Sequence, residues 1–224
     1  MKYLKDVLIL LASCTIAVLL MRMCFGSIPV QKGRPLTVLI SNEGFTGVGR
    51  GTGILLDSTH VLTCAHMALS PDDTFLVYTY PMGNVVKASL EASAKQFDLA
   101  ILVLDSSVTF HTAPVFQEKW QEGDSVTIIG NSLGGMHWFV SKGIISGEDK
   151  GYLLTDALVN PGNSGGPWVN DKGEIVAMTD WRYGPSEGEH YPGIAGGVSA
   201  TTINQFLSVY ALHKAMESAM LSVH

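Results

Sequence analysis

The chain has 224 residues and carries 14 Lys and Arg against 20 Asp and Glu, which gives a net charge of −6 and a sequence pI of about 5.6. This length is sufficient for a well-buried core, either as one large all-β unit or as two small barrels. Because the chain is acidic and has no basic run, we do not expect it to bind nucleic acid.

The first predicted element is an apolar segment near the N-terminus. Lys2 and Lys5 precede an uncharged apolar run over residues 7–21, and Arg22 closes it. The run is short for a membrane-spanning helix and has the length of a signal-peptide core. The greater positive charge before the run than after it favours a body that lies outside the cytoplasm, in the periplasm or secreted.

Three interpretations of residues 1–26 stay open. The segment is a signal peptide cleaved after Gly26, or an uncleaved anchor that continues to Phe25 and tethers the protein to the membrane as a single-pass helix. The sequence Leu-Ala-Ser-Cys at 11–14 also resembles a bacterial lipobox, which would carry a lipid on Cys14.

Short apolar runs separated by Gly, Pro, Asn, Asp and Ser turns fill the chain between its two ends. This spacing is typical of an all-β barrel or sandwich. The sequence GRGTG at 49–53 precedes an apolar strand and not a helix, so it predicts a β-turn and not a phosphate-binding loop. The predicted strand cores are residues 36–40, 53–56, 74–78, 125–129, 139–145, 173–178 and 194–198.

His66 is the candidate base, and it ends the run VLTCAH at 61–66. Cys64 in that run is the one cysteine outside the N-terminal segment, so we expect no intramolecular disulfide in the body and a buried, small apolar role for this thiol. His60, Cys64 and His66 form a conceivable zinc set. No second ligand pair with familiar spacing accompanies them, so no metal or other cofactor is expected.

Asp98 is the candidate carboxylate, and it enters the strongly apolar run LAILVL at 99–104. A buried aspartate is costly unless it is hydrogen-bonded, and the Nδ1–H of a histidine is a natural partner for it. Asp105 closes the same run and is the alternative.

Ser164 is the candidate nucleophile, in the sequence NPGNSGGP at 160–167. The glycines allow a tight turn that points one hydroxyl outward and directs the amides of Gly162 and Ser164 toward a common point, as an oxyanion hole requires. A serine hydroxyl is a weak nucleophile at neutral pH, so this prediction depends on His66 and Asp98.

The last predicted element is a helix over 201–224. Ile203, Phe206, Leu207 and Tyr210 follow the i, i+3, i+4, i+7 pattern of an amphipathic helix, with Thr201 or Thr202 available to cap it. We expect this helix to pack on the second half of the β structure.

These motifs resemble those of the chymotrypsin-like serine proteases, and within them the HtrA (Deg) branch. The chain order His, Asp, Ser is that of this family. The resemblance extends from about residue 38 to about residue 206. The histidine motif, TCAH at 63–66, is intermediate between the trypsin and HtrA forms of that motif. It is carried by GTGILL at 51–56, FDLA at 97–100, IIGNSLG at 128–134, GIIS at 143–146 and LTDALVNPGNSGGP at 154–167.

The resemblance implies an all-β fold of two six-stranded antiparallel β-barrels with a C-terminal helix. It implies an N-terminal barrel at 27–117 that holds His66 and Asp98, and a C-terminal barrel at 118–200 that holds Ser164. The printed chain ends at His224 with no room for the PDZ domain that HtrA proteins usually carry, so PDZ-guided substrate capture is not expected.

The resemblance also implies a role for each site residue. His66 is the general base, Asp98 orients it, Ser164 is the nucleophile, and the Gly162 and Ser164 amides form the oxyanion hole. The residue six positions before the serine, Leu158, lies at the base of the specificity pocket in this family. Leucine there predicts cleavage after small or medium aliphatic residues.

Similar proteins supply the pocket walls from positions that correspond here to Thr179, Asp180 and Trp181 and to residues 193–197. The loops at 134–138 and 181–192 are expected to border the cleft.

The predicted function is that of a serine endopeptidase that acts on unfolded or extended polypeptides through an acyl-enzyme intermediate. A catalytically silent module that binds peptides in the same cleft is one alternative. An esterase that uses the same triad is another, because both enzymes transfer an acyl group to water. Trimers are common among similar proteins, so the resemblance adds a homo-oligomer as an expectation.

Overall fold

The computed structural model describes residues 7, 11, 13, 27–42, 49–68, 73–82, 84–180 and 193–222. It contains two closed barrels of six strands each. All strand pairs in both barrels are antiparallel, which confirms the predicted all-β fold of two antiparallel barrels.

The two barrels share one topology. The first has the strand order β1-β2-β3-β6-β5-β4, and the second repeats this order with β7-β8-β9-β12-β11-β10. The first barrel consists of β1 (Thr37–Asn42), β2 (Gly49–Leu55), β3 (His60–Thr63), β4 (Thr74–Tyr78), β5 (Val85–Ala94) and β6 (Leu99–Leu104). The second consists of β7 (Ser125–Gly130), β8 (Phe139–Asp149), β9 (Tyr152–Thr155), β10 (Pro167–Val169), β11 (Ile175–Asp180) and β12 (Ala195–Ser199).

Strand alternation divides the buried residues between the barrel interiors and the contact between barrels. Successive side chains of a strand point to opposite faces. In β2, therefore, Leu55 joins the interior of the first barrel while its neighbour Ile54 joins the cluster shared by both barrels. The buried members of this interface cluster are Ile54, Leu62, Cys64, Met67, Leu99, Ile175, Met178, Val198 and Ile203.

Within residues 27–222, as far as they are described, two helices flank the barrels. Helix α1 (Ile28–Gly33) is short and begins with Pro29 in its first turn, while α2 (Ala200–Leu221) follows β12 directly. Three of the 3₁₀ turns lie at the candidate site. Ala65–Met67 contains His66, Lys95–Phe97 precedes Asp98, and Ser132–Gly134 contacts the serine loop, where the Leu133 amide donates to the Pro161 carbonyl.

The N-cap of α2 differs from the prediction. Ser199 is the N-cap, and its Oγ accepts a hydrogen bond from the Thr202 amide at 3.3 Å. Thr201 and Thr202 both lie inside the helix, so the prediction that one of them caps it is wrong. Strand β12 continues to Ser199 with extended backbone angles, which is the conformation that an N-cap requires.

Helix α2 contacts both barrels. Ile203 is fully buried in the interface cluster, and Phe206 and Leu207 pack beside it. Further along, the Tyr210 hydroxyl donates to Glu91 of β5 at 2.6 Å, and Lys214 donates to the same carboxylate at 2.8 Å. The helix therefore contacts the first barrel as well as the second, on which it was expected to pack.

Within the described residues, no helix combines the length and the apolar character needed to cross a membrane. The predictions for residues 1–26 fall almost wholly outside the described residues, which include only Val7, Leu11 and Ser13 of that segment.

We predict that Ser199→Ala lowers the free energy of unfolding by about 1 kcal/mol, because the Thr202 amide loses its acceptor. Urea denaturation followed by circular dichroism measures the change. The matched control is Thr201→Ala, an exposed position inside the helix, where we expect a change of less than about 0.5 kcal/mol. An equal loss for Thr201→Ala would contradict the assignment of the cap.

Candidate active site

The structure brings His66 and Asp98 together at the ends of two paired strands. His66 lies in the 3₁₀ turn Ala65–Met67 that follows β3, and Asp98 directly precedes β6. Thr63 pairs with Ala100 in the β3–β6 ladder, so both residues leave the ladder at the same edge.

Asp98 holds His66 at two points. Its Oδ2 lies 2.5 Å from the imidazole Nδ1, and its Oδ1 accepts the backbone N–H of His66 at 2.8 Å. The Asp98 carbonyl also accepts the amide of Ala65 at 3.1 Å. Only 14% of the His66 side chain and 11% of the Asp98 side chain are exposed, so the pair is largely screened from water.

The backbone of Asp98 takes the left-handed conformation, with φ +52° and ψ +41°. Aspartate tolerates this region better than most residues. The carboxylate lies beside Nδ1 of the His66 ring. Asp105, the alternative carboxylate, is exposed just beyond the opposite end of β6.

Ser164 lies in a turn whose glycines no other residue could replace without strain. The Asn163 amide donates to the Asn160 carbonyl at 3.0 Å across Pro161 and Gly162, and Gly162 has φ +99°. Proline followed by a glycine with positive φ is the pattern of a type II turn. A Cβ on Gly162 would stand 2.2 Å from the Asn131 carbonyl oxygen.

Thr52 of β2 ties the serine loop to the first barrel. Its amide donates to the Ser164 carbonyl at 2.9 Å, and its hydroxyl donates to the Gly162 carbonyl at 2.7 Å. The hydroxyl also accepts the Asn131 amide at 2.9 Å, and the Thr52 carbonyl accepts the Thr63 hydroxyl at 2.8 Å. Sequence analysis did not single out Thr52, although a lone hydroxyl in the buried stretch GTGIL was a signal for it.

The amide groups of the serine loop divide into two sets. The first set is hydrogen-bonded: the amides of Asn163, Gly165 and Gly166 donate to the carbonyls of Asn160, Thr179 and Asn163, respectively. The second set is the amides of Gly162 and Ser164, which donate no backbone hydrogen bond within the described part of the chain. These are the two amides that the sequence predicted for an oxyanion hole.

Cys64 connects the histidine turn to the serine loop. Its Sγ lies 3.2 Å from the Thr179 carbonyl, which also accepts the Gly165 amide at 2.9 Å. The thiol is fully buried, as predicted. Burial, together with the charges of Asp98 and Asp180, raises the pKa of the Cys64 thiol well above its ordinary value.

The donor atoms of Cys64, His66 and Asp98 all lie within 4.8 Å of one another. This set fits a metal poorly, because a thiol with a raised pKa keeps its proton and only the thiolate is a good ligand. His60, the third residue of the conceivable zinc set, instead contacts Asp57 at 2.8 Å and Glu91 at 3.3 Å. The structure thus does not gather His60, Cys64 and His66 around one point.

The predicted pocket residues differ in exposure. Leu158 is 67% exposed, whereas the side chains of Thr179 and Asp180 are buried. The Thr179 hydroxyl accepts the indole N–H of Trp168 at 3.0 Å. Trp181 and the loop 181–192 lie outside the described residues.

A cavity of about 400 Å³ adjoins the serine loop on the side of Gly162. Arg50, Leu133, Gly134 and Pro161 line it together with Gly162. The Arg50 guanidinium donates to the Gly134 carbonyl, which links β2 to the loop that follows β7.

Residues 51–178 match the family described as the trypsin-like peptidase domain. The chain belongs to this family, and the matched stretch contains His66, Asp98 and Ser164. Its relatives lie in the HtrA (Deg) branch of chymotrypsin-like proteases, which confirms the resemblance drawn from the motifs.

Two curated relatives and one solved structure illustrate the likeness. The probable periplasmic serine endoprotease DegP-like of Rhizobium meliloti is 34% identical over 161 residues, which are 68% of this chain and 31% of that protein. The serine endoprotease DegS of Escherichia coli K12 is 27% identical over 188 residues, or 75% of this chain and 52% of that protein.

The serine endoprotease of Yersinia pestis has a crystal structure that superposes with a TM-score of 0.69 at 27% identity. The match covers 81% of this chain and 64% of that one. The chain spans about a third to a half of the length of the curated relatives described above.

We predict that Thr52→Val lowers the free energy of unfolding by about 1–3 kcal/mol, because the change leaves the buried Asn131 amide and Gly162 carbonyl without their shared partner. Urea denaturation measures the loss. Thr52→Ser is the matched control, and it should recover most of the stability because the hydroxyl remains. Equal stability of the Val and Ser variants would contradict the role given to this hydroxyl.

Proposed function

We propose that this chain is a serine endopeptidase in which His66 is the general base, Asp98 its orienting carboxylate and Ser164 the nucleophile. The observation that carries the proposal is the pair of hydrogen bonds that the Asp98 carboxylate accepts from His66, together with the strained glycine turn that holds Ser164. Membership of the trypsin-like peptidase family supports it.

The reaction proceeds in two acyl transfers. The Ser164 hydroxyl attacks the scissile carbonyl while Nε2 of His66 takes its proton, and the imidazolium then gives this proton to the leaving amine. Water attacks the resulting acyl-enzyme with His66 again as base, which releases the acid and restores the serine. No cofactor or metal takes part.

Asp98 supports both steps through the ring nitrogen that does not react. An ionised carboxylate only accepts hydrogen bonds, so Nδ1 of His66 must carry the proton and Nε2 must be free to act as the base. The second bond, to the His66 amide, fixes the carboxylate itself. The charge of Asp98 then stabilises the imidazolium that forms in the transition state.

The amides of Gly162 and Ser164 are the proposed oxyanion hole. The Pro161 carbonyl accepts the Leu133 amide and the Asn163 carbonyl accepts the Gly166 amide, which fixes the two peptide units that carry these N–H groups. Fixed amides stabilise the developing oxyanion without reorganising during the reaction.

The proposed substrates are unfolded or extended polypeptides, cleaved after small or medium aliphatic residues. The apolar side chain of Leu158, with no acid at that position, supports this specificity. The relative from Rhizobium meliloti has a name that calls it periplasmic, which supports a catalytic body outside the cytoplasm. We propose that residues 1–26 direct this export. By analogy with similar proteins, we also propose that the chain forms a homo-oligomer.

Substitution of the triad tests the mechanism. With casein as the unfolded substrate, we expect Ser164→Ala to abolish hydrolysis and Asp98→Asn to lower turnover by about 10⁴-fold, because the neutral amide favours the wrong histidine tautomer. Asp105→Asn is the matched control and should retain turnover. Equal losses for the two aspartates would contradict the assignment of Asp98.

The same assay separates the alternatives. A wild-type protein that leaves casein intact but hydrolyses activated esters in a Ser164-dependent way would be an esterase. A protein that cleaves neither and still binds peptides would be the silent module. Either result would refute the endopeptidase proposal.

Specificity is tested by digestion of a peptide library and sequencing of the cut sites. We expect cuts after Ala, Val and similar residues, and we expect Leu158→Asp to shift the preference toward Lys and Arg. Leu158→Met is the matched control and should leave the preference unchanged. Wild-type cleavage that favours Arg or Lys would contradict the role of Leu158.

A further inference from the structure

Arg50 of β2 reaches from the first barrel to a turn of the second. Its guanidinium donates a hydrogen bond to the carbonyl of Gly134, the last residue of the 3₁₀ turn Ser132–Gly134. The alkyl part of the same side chain covers this glycine, since a Cβ on Gly134 would stand 2.9 Å from the Arg50 Cδ. Arg50 therefore contacts the turn through both its polar and its apolar atoms.

The turn Ser132–Gly134 lies directly against the proposed oxyanion hole. A Cβ on Gly162 would stand 3.1 Å from the Gly134 amide nitrogen, so the two backbones are in close contact. The Leu133 amide donates to the Pro161 carbonyl at 2.8 Å. This carbonyl and the Gly162 N–H belong to one planar trans peptide unit, in which they point in opposite directions. The bond that fixes the carbonyl therefore also sets the direction of the proposed oxyanion donor.

The turn needs contacts from outside to keep its shape. Leu133 takes the left-handed conformation, with φ +61° and ψ +13°. This region is unfavourable for leucine, and such a conformation persists only where surrounding contacts enforce it. The Leu133 side chain is 75% exposed, so its own packing contributes little.

Two side chains from outside the turn supply such contacts. The Asn160 side-chain amide donates to the Ser132 hydroxyl at 2.8 Å, and the Arg50 guanidinium donates to the Gly134 carbonyl. Asn160 belongs to the serine loop itself. Arg50, in contrast, lies in the β1–β2 ladder, where it pairs with Ser41. Arg50 thus ties the turn to the hydrogen-bonded frame of the first barrel.

We propose that Arg50 is a positioning residue of the oxyanion hole. It holds the turn Ser132–Gly134 in place, and the turn orients the Gly162 amide through the Pro161 carbonyl. This inference rests on the proposed function for its catalytic consequence. Arg50 acts through the turn and not by contact with the reacting atoms.

The proposal has a defined kinetic consequence. The oxyanion forms only in the transition state, so a displaced Gly162 amide lowers kcat and leaves KM nearly unchanged. Removal of one oxyanion donor costs about 10²- to 10³-fold in kcat. Loss of Arg50 displaces the donor without removing it, so we expect a smaller loss of about 10- to 100-fold.

The kinetic test compares Arg50→Met with the wild-type protein, with kcat expressed per site titrated by a fluorophosphonate so that an unfolded fraction does not count. We expect kcat on a peptide substrate to fall by this factor at unchanged KM. The affinity for a peptide aldehyde should fall with it. The Ser164 oxygen adds to the aldehyde carbon, which places the former carbonyl oxygen in the proposed hole.

Two further variants complete this test. Arg50→Lys should recover most of kcat and of the aldehyde affinity, because its ammonium group can again donate to the Gly134 carbonyl. Lys87→Met is the matched control, since it removes an exposed cation from β5 of the same barrel. It should change neither quantity. A loss in Arg50→Met that appears in KM with kcat unchanged would overturn the proposal.

A structural test does not depend on activity. Amide hydrogen exchange measured by NMR should be faster at Leu133 in Arg50→Met than in the wild-type protein, by about 5-fold or more, which corresponds to the loss of one hydrogen bond. The Ala65 amide, which donates to the Asp98 carbonyl in the other half of the site, should keep its exchange rate. Unchanged exchange at Leu133 would overturn the proposal.

A second substitution covers the case in which Arg50→Met fails to fold. Arg50→Gln keeps a polar side chain, but its amide is two bonds shorter and does not reach the Gly134 carbonyl. It should show the same losses in kcat and aldehyde affinity and the same faster exchange at Leu133. Wild-type values in whichever of the two variants folds would overturn the proposal.

The two readouts separate this inference from the proposed function. If the wild-type protein lacks Ser164-dependent hydrolysis, the endopeptidase proposal fails, and exchange at Leu133 still decides whether Arg50 holds the turn. If hydrolysis is present and the Arg50 variants keep the wild-type kcat, only the inference about Arg50 fails.

Discussion

The rest of the cleft depends on one buried carboxylate at the boundary between the barrels. Asp98 is screened from water, and its negative charge would be costly there without strong hydrogen bonds. Both the ring and the backbone of His66 supply them. The β3–β6 ladder places the two residues at the same edge, so one contact meets a stability requirement and supplies the proposed catalytic geometry.

The serine loop reaches this point from the second barrel through hydroxyl and carbonyl contacts. Thr52 and Thr63 of the first barrel form a chain of hydrogen bonds to the Gly162 and Ser164 carbonyls. The Thr179 carbonyl accepts hydrogen bonds from the Gly165 amide and the Cys64 thiol. Thr52, Thr63 and Thr179 are fully buried, so these contacts are screened from water. Because His66 and Ser164 come from different barrels, their relative position depends on this interface and not on either barrel alone.

Much of the fold and site was predictable because the signals are local. His66, Asp98 and Ser164 each stand at the boundary of an apolar run or a glycine turn, and the runs themselves mark most of the strands. Strand β5 was not predicted, since its side chains are mostly exposed or half-buried and it lacks an apolar run. Strand β10 has only three residues and begins with a proline, so no pattern could develop in it.

The parts that sequence could not predict depend on contacts between distant residues. The N-cap of α2 falls on Ser199 because β12 runs directly into the helix, whereas helical periodicity alone pointed to Thr201 or Thr202. The contact of Tyr210 with Glu91 requires knowledge that the C-terminal helix reaches β5 of the first barrel. Thr52 likewise acquires its role only when the second barrel docks against β2.

The most direct test of the central claim is to locate the covalent adduct that a fluorophosphonate forms with the wild-type protein. Proteolysis and mass spectrometry identify the modified residue. We predict a single adduct on Ser164, formed much more slowly in His66→Gln because the base is gone. An adduct on another residue, or a rate on Ser164 that does not depend on His66, would contradict the account.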